Sequence, residues 1–284
     1  MKVKPFIRWA GSKRKLVTIL TSTWPGDTYR YLEPFMGSAC LFFSILPSRA
    51  LLSDINRDLV DTFDAIRKEP IALYSSIVKI PRGPESYYNL RKQVPESLSL
   101  INRAARFIFL NRFCFNGLYR TNLKGEFNVP FAKSRTGDFP TEKEFLSVAE
   151  SLKNVDLRCG DFASIVSSEV KKGDFIYLDP PYAVRNKKIF RQYDPQTFGL
   201  EDLERLRDLL TRIDSSGALF LLSYANCEEA KHYFCNWPSI EVEVQRNIAG
   251  FAKHRRKASE ILVSNLDGKL LENLKYAKVI SCGN

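Results

Sequence analysis

The chain has 284 residues, 44% hydrophobic and 26% charged, which is enough to bury a large core as one domain, or one domain with a sizeable insertion, and excludes a long disordered chain. A formal net charge of +11 favours a polyanionic partner, although basic balance alone does not separate nucleic acid from an anionic membrane surface. No apolar run approaches the roughly 20 residues that span a bilayer, Met1-Lys2-Val3-Lys4-Pro5 lacks a signal-peptide core, and six scattered cysteines beside two histidines argue against a structural zinc site or a disulfide scaffold.

A cytoplasmic site of action without a bound metal is therefore expected, with most cysteines serving as buried small hydrophobes. In chain order, the first informative segment is Phe6 to Lys15, in which Gly11-Ser12 precedes a basic helical stretch ending near Leu20. Free N–H groups at such a helix start can bind a carboxylate or phosphate; a plain N-cap with solvated lysines is the other reading. Tyr29 to Leu32 then reads as a short strand, Gly37 as a turn, and the apolar run through Leu46 as a helix, the first half of a nucleotide-binding βαβ unit. A second strand, Ala50 to Ser53, ends in Asp54-Ile55-Asn56. An acid about 20 residues beyond the first strand can bind ribose hydroxyls, or cap the next helix.

From Arg57 to about Ser151 the pattern changes to helices separated by loops bearing Pro70, Pro81, Pro84 and Pro95, an insertion that interrupts the sheet. Its centre is an aromatic-rich helix, Ile101 to Phe115, followed by Asn116 to Phe131, where Gly117 and Gly125 flank alternating residues and predict a β-hairpin or looped ribbon. Five basic residues and one acid between Asn111 and Arg135 interleave with Phe113, Phe115, Tyr119, Phe127 and Phe131. That mixture suits phosphate and stacking contacts with nucleic acid, and equally suits a packed hairpin with a solvated basic face.

The sheet resumes at Val155 to Leu157 and turns at Gly160-Asp161-Phe162, an acid and a ring fit for an adenine amino group and its face. Phe175 to Leu178 is a continuous apolar run of the kind buried on both faces of a sheet, and it stops at Asp179-Pro180-Pro181-Tyr182. Neither proline can donate to a ladder, so the chain leaves the sheet there and presents Asp179 and Tyr182 at the carboxyl edge. The Asp179 carboxylate and the Pro180 carbonyl can each accept one N–H of a planar amino group while the Tyr182 ring stacks on the base. Two acceptors draw the nitrogen toward tetrahedral geometry and stabilise the positive charge it gains on attacking a methyl donor. The bland alternative is a rigid turn after a strand. Further on come a helix marked by Leu203, Leu206, Leu209, Leu210 and Ile213, strand Leu219 to Leu222, a short helix from Glu228 to Phe234, strand Ile240 to Val244, a basic loop from Lys253 to Lys257 suited to phosphate contact, and strand Ile261 to Ser264.

Taken in order, these segments resemble the Dam-type DNA adenine-N6 methyltransferases of the alpha group over nearly the whole chain. The resemblance rests on Arg8-Trp9-Ala10-Gly11-Ser12-Lys13, Glu33-Pro34-Phe35-Met36-Gly37-Ser38, Asp54-Ile55-Asn56, Asn111 to Phe131, Gly160-Asp161-Phe162 and Asp179-Pro180-Pro181-Tyr182. It implies an α/β, Rossmann-like methyltransferase fold of residues 1–56 and 152–284, with a mostly helical DNA-recognition insertion of residues 57–151 that carries a β-hairpin. It implies S-adenosylmethionine as methyl donor and S-adenosylhomocysteine as product, and direct transfer to N6 of an adenine flipped out of double-stranded DNA, GATC being the expected site. A monomer without an obligate protein partner is expected.

By position, the resemblance assigns Trp9, Ala10, Gly11 and Lys13 to the methionine end of the donor, Glu33, Pro34, Phe35, Gly37 and Ser38 to the floor of its pocket, Asp54 to the ribose, and Asp161 and Phe162 to the donor's adenine. It assigns DNA contacts to Arg8, Arg112, Phe115, Asn116, Gly117, Leu118, Arg120, Asn122, Pro130, Lys133, Arg255 and Arg256. Phe115 stands where the family has an aromatic that enters the base stack, Leu118 and Pro130 where it contacts thymine, and Arg120 where it reads a guanine. The chain departs from the family at Ser12 (usually glycine), Arg8 (usually lysine), Ser38-Ala39 within a glycine-rich turn, and Ala132-Lys133-Ser134, so the outer base pair is the least constrained. The alternatives are transfer to cytosine-N4 or to an RNA adenine, and a catalytically silent nucleic-acid-binding protein of the same fold. Restriction-linked, repair and regulatory settings fit the same residues.

Overall fold

Alternation within short apolar strands divides the core of this chain into two layers on either side of one sheet. In the computed structural model, which describes residues 3–133, 137–182, 198–246, 256–268 and 272–273, the strands are β1 (Arg30–Glu33), β2 (Ala50–Asp54), β3 (Val155–Cys159), β4 (Asp174–Leu178), β5 (Leu219–Ala225), β6 (Ser239–Arg246) and β7 (Arg256–Ser264). They lie in the order β3-β2-β1-β4-β5-β7-β6. The first five are mutually parallel, and β7 inserts antiparallel between β5 and β6.

Side chains of period two then point to opposite faces. Tyr31, Phe175, Tyr177 and Leu221 join one apolar cluster, and Leu32, Ile176, Leu178 and Leu222 the other. Helices α1 (Val17–Thr21), α2 (Cys40–Ile45), α3 (Arg57–Lys68), α4 (Pro70–Val78), α6 (Leu100–Phe113) and α7 (Glu142–Ser151) contribute to the first cluster; α8 (Phe162–Glu169), α9 (Leu200–Ser215) and α10 (Glu228–Tyr233) contribute to the second. This is a Rossmann-like α/β sandwich with a reversed strand near one edge. Helix α5 (Pro84–Lys92) packs its Tyr87 into a third, smaller cluster with Phe109, Phe113, Phe127 and Val129.

The strand order fixes where a ligand can sit. From β1 the chain moves outward through β2 to β3 and returns to β4 on the other side of β1, so the order reverses between β1 and β4. Crevices open at the carboxyl ends of strands at such a reversal. Those ends carry Glu33 and Asp179.

Three local expectations are corrected or narrowed. The helix after Gly11-Ser12 starts only at Val17, with Leu16 as an N-cap that makes no side-chain bond, so Gly-Ser is not a helix entry and Lys13 precedes the helix. Of the β-hairpin or looped ribbon expected there, the structure has the second, an irregular antiparallel ribbon with isolated bridges Cys114–Phe131 and Thr121–Phe127, because a turn at Phe115–Gly117, with Asn116 at φ 57°, breaks the ladder. Among the described cysteines only Cys40 and Cys114 are buried; Cys159 and Cys227 are half-buried and Cys235 is exposed.

Candidate active site

The crevice is a cleft of about 1590 Å³ lined by Trp9 to Leu16, Glu33 to Ser38, Asp54, Gly160 to Phe162 and Asp179 to Tyr182. Segments far apart in sequence thus meet because each is a carboxyl-end loop of a neighbouring strand or packs against one.

At the end of β1 the backbone of Gly37 takes φ +46°, and a Cβ there would lie 2.7 Å from Trp9 Cδ1, so the indole rests directly on the glycine. Trp9 also stacks on Tyr119, with centroids 5.5 Å apart. Gly37 N–H donates to Asp54 Oδ2 at 3.1 Å and Asn56 N–H to Oδ1 at 3.0 Å. Asn56, not Asp54, caps α3. Burial pushes the Asp54 carboxyl up to about 6, against the pull of those N–H groups. Glu33 is 3% exposed, accepts from the Tyr31 hydroxyl at 2.9 Å, and is held well above the usual carboxylate range by burial. Ser38 Oγ lies 3.2 Å from both Ser12 Oγ and Cys40 Sγ, so small polar groups stand where this chain departs from glycine.

Past β3, Asp161 caps α8 through Ser164 N–H at 3.0 Å and accepts from Arg205 at 2.6 Å. Burial opposes its ionisation, but Arg205 and the cap hold its carboxyl below the usual range. Phe162 packs with Phe35 and Phe198, centroids 4.9 and 6.1 Å away, and the Arg205 guanidinium lies 5.0 Å from its ring centroid. Three rings and a carboxylate thus stand together in the cleft lining.

β4 delivers Asp179 to the cleft floor. Lys13 Nζ lies 2.9 Å from Asp179 Oδ1 and donates to the Tyr182 hydroxyl at 3.1 Å. Burial alone would lower the lysine's pKa, but Asp179, Tyr182 and Glu260 more than offset it and hold the ammonium above its ordinary range. Tyr182 packs edge-on against Tyr224.

The ribbon stands at the mouth. Phe115, Asn116, Leu118, Arg120, Pro130 and Lys133 are exposed, while Gly117 is buried under Arg8, whose Cβ would meet a Gly117 Cβ at 2.6 Å. Arg8 donates to the Arg112 carbonyl at 3.1 Å, and its backbone exchanges two bonds with the Asn111 amide. Burial, then Arg8 and Arg14 nearby, lower the Arg112 pKa. Arg120 Nε is anchored on Asn128 Oδ1 at 2.8 Å. The Asn122 side chain accepts from Lys124 and Glu126 N–H and donates to Glu126, closing the ribbon tip. Arg255, the side chain of Arg256 and Ser134 lie outside the described residues.

Sequence reading missed Glu260, Phe198, Arg205 and Tyr119 as cleft-lining groups. Glu260 had a signal, an acid inside the apolar run of β7; Phe198 and Arg205 had none, since only the packing of α9 on β5 and α8 brings them there. Among the described residues no cluster of three His, Cys, Asp or Glu side chains is arranged to hold a metal ion, and no helix is long and apolar enough to cross a membrane.

Residues 9–248 match the family model described as D12 class N6 adenine-specific DNA methyltransferase. The chain is 31% identical to the type II methyltransferase M1.LlaDCHI of Lactococcus lactis subsp. cremoris, over 93% of this chain and 96% of that protein. It is 34% identical to the type II methyltransferase M.MjaIII of Methanocaldococcus jannaschii, over 78% and 84%. It is 30% identical to the DNA adenine methylase of Escherichia coli, over 92% and 95%.

Proposed function

Since this chain belongs to the D12 class N6 adenine-specific DNA methyltransferases, whose activity draws on S-adenosylmethionine, we propose that it methylates the adenine of GATC in double-stranded DNA by direct transfer to a flipped base. The observation that carries this reading is the size and lining of the cleft. At about 1590 Å³ it exceeds the roughly 300–1,000 Å³ of a pocket for one small ligand. Donor and extruded base can share it.

The residues fit the donor. The Phe35, Phe162 and Phe198 rings suit a purine, the buried Asp54 carboxylate at the end of β2 suits a ribose diol, and Trp9 and the Gly37 turn suit the methionine end. When bound, the donor supplies an electrophilic sulfonium methyl. The chain's own work is on the acceptor side. Asp179 and the Pro180 carbonyl accept hydrogen bonds from the two amino N–H groups, localise the nitrogen lone pair and stabilise its developing positive charge, while Tyr182 stacks on the base; one amino proton then leaves to water, giving the neutral N-methylated base. Preorganised acceptors need no reorganisation at the moment of transfer.

On the DNA side, Arg120 reads a guanine edge, Phe115 fills the space vacated in the stack, and Leu118 and Pro130 meet thymine methyl groups. Arg8, Arg112 and Lys133 supply phosphate or outer-base contacts, with Asn116, Gly117 and Asn122 shaping the ribbon, and Arg255 and Arg256 add phosphate contacts. Residues 57–151 form the recognition segment and the remainder the catalytic one. We assign action as a monomer on cytoplasmic DNA.

The test is incubation with labelled S-adenosylmethionine and unmethylated duplex, digestion to nucleosides and mapping of modified positions. Label in N6-methyladenine at GATC is expected. Label at another sequence would overturn the site assignment but keep the chemistry, and label on cytosine or only on RNA would overturn the acceptor.

A further inference from the structure

β7 brings to the cleft a carboxylate that the reaction as described does not use. Glu260 is 2% exposed and stands where three groups converge. The Tyr182 hydroxyl donates to its Oε1 at 3.0 Å, Ser223 Oγ on β5 donates to its Oε2 at 3.3 Å, and Lys13 Nζ lies 3.4 Å from Oε2. The same ammonium lies 2.9 Å from Asp179. One cation is therefore shared between the carboxylate at the end of β4 and a second, deeper carboxylate.

This sharing matters because a carboxylate accepts through a limited set of lone pairs. An ammonium resting on Asp179 alone would compete with the amino hydrogens of an incoming base and cancel the negative charge that must answer the charge developing on nitrogen. A second carboxylate offers the ammonium another seat. A tyrosine whose hydroxyl is fixed also has a fixed ring, and the hydroxyl of Tyr182 is fixed by Glu260.

We infer that Glu260 is a positioning residue for methyl transfer: it anchors the Lys13 ammonium and the Tyr182 hydroxyl, so that the ammonium is shared with Asp179 instead of resting on it alone and the ring stands where the base stacks. This rests on the reading that Asp179 receives an adenine amino group. Glu260 acts through Lys13 and Tyr182.

The test is single-turnover transfer at saturating donor and duplex, with Glu260→Gln, which preserves shape and removes charge, made alone and in a Lys13→Met background. Loss of alignment of this kind costs roughly 10- to 100-fold in the transfer rate, with donor affinity by calorimetry within about twofold of wild type. In the Lys13→Met background, where the competing cation is gone, the added Glu260→Gln substitution costs less than about threefold, the coupling expected of groups acting as one unit. Ser223→Ala, which removes one bond to Glu260, lowers the rate in the same direction by about two- to fivefold. A Glu260→Gln enzyme at the wild-type rate would overturn the inference, as would an equal loss in both backgrounds or a loss confined to donor or DNA affinity. Wild-type protein that forms no N6-methyladenine would instead overturn the functional reading beneath it, and the inference with it.

Discussion

At the carboxyl edge of the sheet, Lys13, Glu33, Asp54 and Glu260 are at most 9% exposed; Glu33 is held by Tyr31 of its own strand, and Lys13, Asp54 and Glu260 by partners from other segments. On the ribbon between Phe115 and Phe131, the side chains we propose as readers of DNA, Phe115, Leu118, Arg120 and Pro130, stand exposed. Their backbone is fixed from beneath by Tyr87 and Arg91, which donate to the Val129 carbonyl, and by Asn122 at the tip. The chemistry we propose is thus housed among buried groups whose hydrogen bonds and ion pairs are strengthened by burial and tolerate little change. The recognition we propose is housed on exposed side chains over a packed base, an arrangement in which specificity can shift while fold and transfer persist.

That contrast can be broken by substitution. The largest effect is expected at the edge: Asp179→Ala removes one of two acceptors for the amino group and lowers single-turnover transfer by at least about 10²–10³-fold, while calorimetry still shows donor binding. Retained transfer in that variant would remove Asp179 from the chemistry. On the ribbon, Arg120→Ala forfeits roughly 1–3 kcal/mol of discrimination at one base pair. Competition between cognate and singly altered duplexes checks this, and unchanged discrimination would assign guanine reading elsewhere.

The pH dependence of donor binding sharpens the comparison further. Burial raises the Asp54 carboxyl to about 6, so it is ionised, and able to accept from two ribose hydroxyls, only above that pH. Affinity is therefore retained at pH 8 and lost as pH falls through 6, about tenfold weaker at pH 5, and Asp54→Asn flattens the profile. A flat wild-type profile would free Asp54 from the ribose. The smallest expected effect lies outside both regions. Leu46 ends α2 in the left-handed conformation at φ 53° and is 40% exposed, so Leu46→Gly relieves strain and stabilises the fold by about 0.5–1 kcal/mol. Its urea midpoint should rise with the slope unchanged, and neither transfer rate nor site preference should move.

Much of this architecture was legible in the sequence wherever one residue's chemistry forces a local outcome. The prolines after Asp179 end β4 at the residue where the acid is needed, and Gly37 marks a turn that no side chain fits. Glu33, Asp54, Asp161 and Asp179 were legible because each sits at or just past a strand end. What escaped was set by tertiary placement. Lys13 was read as part of a helix start, yet the helix begins at Val17, and the lysine turns inward to Asp179. Asp161 was read for the donor's adenine alone, but it also caps α8 and pairs with Arg205. Glu260 was passed over because β7 is reversed, and only its pairing with β5 aims that acid at Tyr182.

The most direct measurement is to expose one pool of random-sequence duplexes to wild-type, Asp179→Ala and Arg120→Ala proteins and map N6-methyladenine by position and rate. The account predicts that wild type marks GATC, that Asp179→Ala marks almost nothing anywhere, and that Arg120→Ala marks GATC together with sites altered at one base pair at a comparable maximal rate. An Arg120→Ala protein that keeps strict site choice but loses transfer, or an Asp179→Ala protein that still transfers at altered sites, would contradict the separation of chemistry from reading.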